Sequence, residues 1–344
     1  MIINCVLGLG VVSMGFINWI TTALLCVLSF LLVLISASVS YHEYIKSPGK
    51  RGLLSFTIYL GPISVAVLIL VNIVLYGLSS LPSISSFALI LFYILLGVYI
   101  MKVKAYCSKE KPVSVGGLDF VVCRDGPVNA WYDLRKKKIY ISDKLLKILS
   151  DEELKAVYYH EEGHRKHRYL AYTSGSIRGV WLTFFSLAFT VFMVTEFKIV
   201  NATFWDYLLL LVFLVSIATS LSAISITWNW INEHESDVYS AEKVGAKTLI
   251  TAIVKLYVYG WLEKNSISSY IAEVSLDLDL KAITRDLHRA KLPRIFMLLL
   301  KRSLHSALGV IRLTSIYEAP IPDTHPPLEY RVLVIRRTQP TRCL

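Results

Sequence analysis

One short stretch, His160-Glu161-Glu162-Gly163-His164, holds residue types at a spacing that can do hydrolytic chemistry. On an α-helix, positions i and i+4 differ by about 40° and one turn. Two imidazoles so placed can bind one zinc ion from a single face, at about 2.0–2.1 Å per nitrogen. Glu161, beside the first histidine, is then placed as a general base toward a metal-activated water. Glu162 points about 200° away from His160 and is expected to be structural or solvent-facing. His167 returns to the His160 face, but almost two turns along the axis, too far to share a metal with both histidines. A catalytic zinc usually takes three protein ligands. The candidates for the third lie in Asn232-Glu233-His234-Glu235-Ser236-Asp237. Glu233 and Asp237 share a helix face, so one can ligate while the other holds a ligand imidazole. Spacing alone leaves Glu235 and His234 open as well.

The elements around these residues are partly legible. Ser150 is a plausible N-cap with Glu153 at the capping-box position, so a helix starts there and carries the HExxH stretch. Short strands are expected at 118–123, 128–133 and 138–142, separated by turn residues. A further helix begins near Asn229, and the tail ends in a Pro-rich stretch around 321–327.

Five apolar runs are long enough to span a bilayer, at 17–41, 53–77, 83–101, 177–195 and 203–226. A sixth run, 2–16, is short for a span. The loop after the first run carries His42, Lys46, Lys50 and Arg51, and the segment after the third carries Lys102, Lys104, Lys109 and Lys111. The connection 78–82 is uncharged, and 196–202 carries one charge of each sign. By the positive-inside rule, 42–52, 102–176 and the tail from 227 are cytoplasmic.

Composition agrees. Of the 344 residues, 55% are hydrophobic and only 18% charged, and mean hydropathy is +0.55, beyond what soluble domains show. The net charge of +11 sits largely in short loops and the C-terminal third, which fits membrane topology rather than a nucleic-acid-binding face. Cys5, Cys26, Cys107, Cys123 and Cys343 show no paired spacing, so neither a disulfide framework nor a thiolate metal site is expected.

Three segments occur in a telling order: His160 to His164, then Glu233-His-Glu-Ser-Asp237-Val-Tyr-Ser-Ala-Glu-Lys-Val-Gly245, then His325-Pro-Pro-Leu-Glu-Tyr-Arg331. Together they resemble the HtpX and CaaX-prenyl-protease family of membrane zinc metallopeptidases over roughly 128–331. That resemblance implies one zinc per chain, Glu233 as third ligand and Asp237 as the partner of a ligand histidine. It also implies an edge strand for substrate at Asn129 and Ala130, and places His325 and Arg331 near the site, with His325 either stabilising the oxyanion or forming a structural turn. Ser236 stands where the family usually has Ala, and the five spans differ from the family's four or seven.

The expected fold is an α-helical integral membrane protein with a small cytoplasmic α+β zincin-like catalytic domain. Residues 1–101 form its first membrane segment, 102–176 the first catalytic part, 177–226 a transmembrane hairpin and 227–344 the second catalytic part. The expected activity is zinc-dependent endoproteolysis of membrane-associated or misfolded proteins, with peptide and bilayer as partners and no nucleic acid. The alternative is a non-proteolytic scaffold or sensor with a vestigial or regulatory zinc site.

Overall fold

The computed structural model describes residues 27–49, 109–124, 126–133, 136–170, 204–264, 291–311 and 325–338, with Leu24 and Cys107. The expected spans at 53–77, 83–101 and 177–195 and the run 2–16 lie outside these residues. Helix α1 (Val27–Lys46) overlaps the first expected span, and among the described residues it is the one found long and apolar enough to cross a membrane. Its outward face carries Val27, Leu28, Leu31, Leu32 and Ile35, all exposed, and Leu24 before it is exposed as well. They recur at three- and four-residue intervals, which makes one continuous apolar stripe.

A four-stranded sheet follows: β1 (Glu110–Val115), β2 (Leu118–Cys123), β3 (Ala130–Asp133) and β4 (Lys138–Ser142), in the order β1-β2-β4-β3. β1–β2 and β3–β4 are antiparallel, and β2 runs parallel to β4. The β1–β2 turn is Gly116-Gly117, both at positive φ, which a side chain would disfavour and a two-residue hairpin requires. β1 was not expected, because Glu-Lys-Pro-Val-Ser-Val lacks an apolar alternation and lies largely exposed. Strands β2 and β4 fall at their expected bounds; β3 begins two residues later than expected, at Ala130.

One expectation is corrected. Cys107 and Cys123 form a disulfide with their Cα atoms 5.6 Å apart. The 16-residue separation carries no sequence signature; the unforeseen β1 supplies it. β1 pairs Glu110 with Cys123, which brings Cys107, three residues upstream, to the end of β2.

Six helices complete the described part: α2 (Asp143–Ile148), α3 (Asp151–Lys166), α4 (Phe204–Val244), α5 (Ala246–Lys264), α6 (Leu292–Ile311) and α7 (Leu328–Thr338). The Ser150 capping box forms in full, with Ser150 Oγ and Glu153 each satisfying the other's backbone N–H. Helix α4 carries both the fifth expected span and the Glu233–Asp237 stretch without a break, since no Gly or Pro interrupts it. It stops at Gly245, whose φ of 90° and N–H bond to the Ala241 carbonyl form a C-terminal cap.

Two apolar cores meet along α4. One gathers Phe120, Val122, Ile139 and Ile141 of the sheet with Leu154 and Val157 of α3, Leu249 and Ile253 of α5, and Ala241. The other joins α1, α6 and α7 to Trp230 and Ile231 of α4. The crossing of α3 and α4 is therefore clamped from both sides, and the crossing is close at Gly163. A Cβ there would lie 2.8 Å from Ser236 Cα, an approach that backbone cannot yield to. Gly163→Ala, which would ordinarily favour a helix, is instead expected to destabilise the protein by about 1–3 kcal/mol. Thermal unfolding in detergent checks this; an unchanged or raised midpoint would show that the helices need not touch here.

Candidate active site

Helix α3 presents His160 and His164 on one face, with their Nε2 atoms 3.2 Å apart. Helix α4 brings Glu233 against both: its carboxylate oxygens lie 3.5 Å from His160 Nε2 and 3.4 Å from His164 Nε2. Atoms each about 2.0–2.1 Å from a tetrahedral centre stand about 3.3–3.4 Å from one another, so the three side chains fit one zinc ion. Glu233 Oε2 is buried, with His325 Nδ1 3.0 Å and Arg331 Nη2 3.8 Å away. His160, Glu161 and His164 also offer donor atoms within 4.8 Å of one another.

Each of the four side chains after Glu233 has a polar partner of its own or shares one with Glu233. His234 Nε2 is 2.8 Å from the Tyr41 hydroxyl, and the Tyr44 hydroxyl donates to Glu235 at 2.7 Å. Both tyrosine rings lie nearly parallel to the His234 ring, so α1 is fastened to α4 beside the site. Ser236 Oγ is 3.0 Å from His164 Nδ1. Asp237 Oδ1 is 3.0 Å from His160 Nδ1, while Arg331 of α7 donates to both Asp237 oxygens at 2.8 and 2.6 Å. Each imidazole thus has its Nδ1 engaged and its Nε2 turned toward Glu233.

His325 enters from the loop before α7, with Nδ1 3.0 Å from Glu233 Oε2. Its carbonyl accepts from Arg302 Nη1 at 2.8 Å, and that guanidinium lies 5.0 Å above the Trp230 ring. Glu162 is buried and paired with Arg165. His167 closes the end of α3, its N–H bonded to the Gly163 carbonyl. Asn129 exchanges bonds with Ser142: its carbonyl accepts from Ser142 N–H at 3.0 Å and its N–H donates to Ser142 Oγ at 3.2 Å. Alternation then turns the N–H and C=O groups of Ala130 and Tyr132 away from β4, to the outer edge of the sheet.

The charges follow from burial and neighbours. Burial pushes Glu161 up to about 7, with Glu233 adding to the rise, while His160, His325 and a hydrogen bond from the Tyr132 backbone N–H act the other way. That bond places the Glu161 carboxylate at the outer edge of β3. Burial holds His164 down at about 4. Burial would also lower His160, but Asp237 and Glu233 outweigh it and raise the ring to about 10. Burial opposes ionisation of Glu233 and Asp237, yet His325 and His164 hold Glu233 well below the usual range, and Arg331 holds Asp237 low.

The structure brings together His160, Glu161, His164, Glu233, Asp237 and His325. Tyr41, Tyr44, Arg302 and Ser236 were not anticipated as partners. Ser236 had a signal in its place between two candidate ligands; the tyrosines had none, being nearly 200 residues away in sequence.

The model of peptidase family M48 matches residues 103–339. A protein described as a protease HtpX homolog, from Thermoplasma volcanium, is 28% identical over 264 residues, covering 67% of this chain and 82% of the relative. No solved structure matches. The matched region takes in all three segments that converge on the His160–His164–Glu233 cluster, and the chain belongs to peptidase family M48 and is a zinc metalloprotease.

Proposed function

We propose that the chain is a membrane-bound zinc endopeptidase that cleaves membrane-associated or misfolded proteins at the cytoplasmic face. His160, His164 and Glu233 would hold one zinc, and Glu161 would act as general base. The observation that carries this is the approach of the Glu233 carboxylate to both Nε2 atoms at 3.4–3.5 Å, with Glu161 beside the sheet edge. When bound, zinc lowers the pKa of water toward about 7 and polarises the scissile carbonyl.

The chain's own residues do the rest. A peptide laid antiparallel to β3 bonds to the outward groups of Ala130 and passes Glu161. Glu161 takes a proton from the attacking water and delivers it to the nitrogen leaving the cleaved C–N bond. His325, one-third exposed beside Glu233, faces the same space and is placed to hydrogen-bond the carbonyl oxygen as it gains charge. Asp237 and Arg331 keep His160 in place throughout.

Metal content tests the assignment. Wild type purified in detergent should carry about one zinc per chain, lose it and its activity to a chelator, and regain both on readdition. Glu233→Ala should bind at least about 10-fold more weakly. Zinc held equally by the variant would move the third ligand elsewhere, and a folded wild type without zinc would favour the scaffold reading.

The apolar stripe on α1 supports a bilayer beside it, and the basic loops support a cytoplasmic site. The Cys107–Cys123 disulfide favours the opposite side, because disulfides persist mainly in oxidising compartments. A cysteine introduced at exposed Lys147 decides between them: a membrane-impermeant maleimide should label it only after permeabilisation. Labelling in intact cells would place the site outside.

A further inference from the structure

We propose that Ser236 is a positioning residue for the metal site: it accepts the Nδ1 proton of His164 and so holds Nε2 ready to ligate. The inference rests on the reading of His164 as a zinc ligand. Ser236 Oγ is fully buried and stands 3.0 Å from His164 Nδ1. Its hydroxyl also donates to the Asn232 carbonyl, one helical turn back, at 3.0 Å.

A serine hydroxyl has one proton and two acceptor positions, and a neutral imidazole has one N–H and one free lone pair. With the Ser236 proton on the Asn232 carbonyl, Oγ turns a lone pair toward His164. Nδ1 then carries the imidazole proton and Nε2 keeps its lone pair, in the space that it shares with His160 Nε2 and the Glu233 carboxylate. The relay runs from His164 Nδ1–H to Ser236 Oγ and from Ser236 Oγ–H to Asn232 O, and every polar hydrogen in it has an acceptor.

An imidazole that ligates through Nε2 must keep its proton on Nδ1. Without the hydroxyl, that proton would sit at the α3–α4 crossing with no acceptor in place, a cost that appears when zinc is bound. The close approach at Gly163 makes the arrangement possible, because any side chain there would push Ser236 away from α3. Ser236 therefore serves His164 as Asp237 serves His160.

The test compares wild type and Ser236→Ala, which removes one oxygen and adds no bulk. Zinc affinity is measured by chelator competition, and the His164 tautomer by ¹⁵N NMR of histidine-labelled, zinc-free protein. The expectation is a zinc affinity about 10–100-fold weaker in the variant, with His164 protonated on Nδ1 in wild type and moved toward the Nε2–H form in Ser236→Ala. Equal zinc affinity in the two proteins would overturn the inference. So would weaker binding with an unchanged tautomer, which is what a loosened helix contact alone would give. The wild-type spectrum decides by itself if the variant does not fold: an Nε2–H form overturns the proposal. A wild type that binds no zinc, or binds it undiminished in His164→Ala, sinks the zinc-site reading instead.

Discussion

Glu161→Gln should lower the rate of peptide hydrolysis by about 10²–10⁴-fold while about one zinc per chain stays bound. The amide keeps the size and hydrogen-bonding reach of the carboxyl group, so the site should hold its shape, but it cannot take a proton at neutral pH. The proposed zinc ligands, His160, His164 and Glu233, are not touched by this change. Elemental analysis and a protease assay on the same preparation separate the two. Full activity would remove Glu161 as base; loss of zinc would make it a ligand.

The same residue shapes the pH dependence. Burial and Glu233 raise Glu161 to about 7, so it stays protonated to a higher pH than an ordinary carboxyl and is lost as a base when pH falls through its shifted value. A dication at the neighbouring cluster favours the carboxylate and pulls that value back down. The acid limb of kcat/KM should therefore lie between about 4.3 and about 7.

Much of the site was legible because its parts are local. The two histidines, Glu161 and the Ser150 cap lie within one helix, where 3.6-residue periodicity fixes which side chains share a face. Glu233 and Asp237 obey the same rule within α4. Spacing could not tell which of them ligates, because that depends on the partner helix. Gly163 lets α3 lie against Ser236, and this contact brings Glu233 to the Nε2 atoms and leaves Asp237 to Nδ1 of His160.

What was not legible is long-range. Tyr41 read as the end of an apolar run and Tyr44 as part of the basic loop after it, and only packing shows both stacked against His234. The disulfide was missed with β1, since an exposed strand lacks the alternation that marks a half-buried one. The expected helix start near Asn229 proved to be mid-helix. Polarity changes there, but nothing in the local sequence breaks the backbone, so one helix passes from the apolar stretch into the site. Glu233 is thereby tied rigidly to whatever holds the first half of α4.

Arg331→Met is expected to be the most damaging single change to stability, at about 3–5 kcal/mol. Asp237 is fully buried, and Arg331 supplies two charge-assisted bonds to it. With the guanidinium gone, an ionised carboxylate would lie in a dry interior with His160 as its remaining close cation, and either the charge or a proton on it would be costly. The damage should reach the metal site, because a protonated or displaced Asp237 no longer orients His160; zinc affinity should fall about 10–100-fold. The double variant Arg331→Met with Asp237→Asn removes the orphan charge, so it should recover part of the lost stability but not the zinc affinity. Unfolding in detergent and chelator competition read the two effects separately. If the double variant is no more stable than Arg331→Met, the cost lies in the packing of α7 rather than in the buried charge.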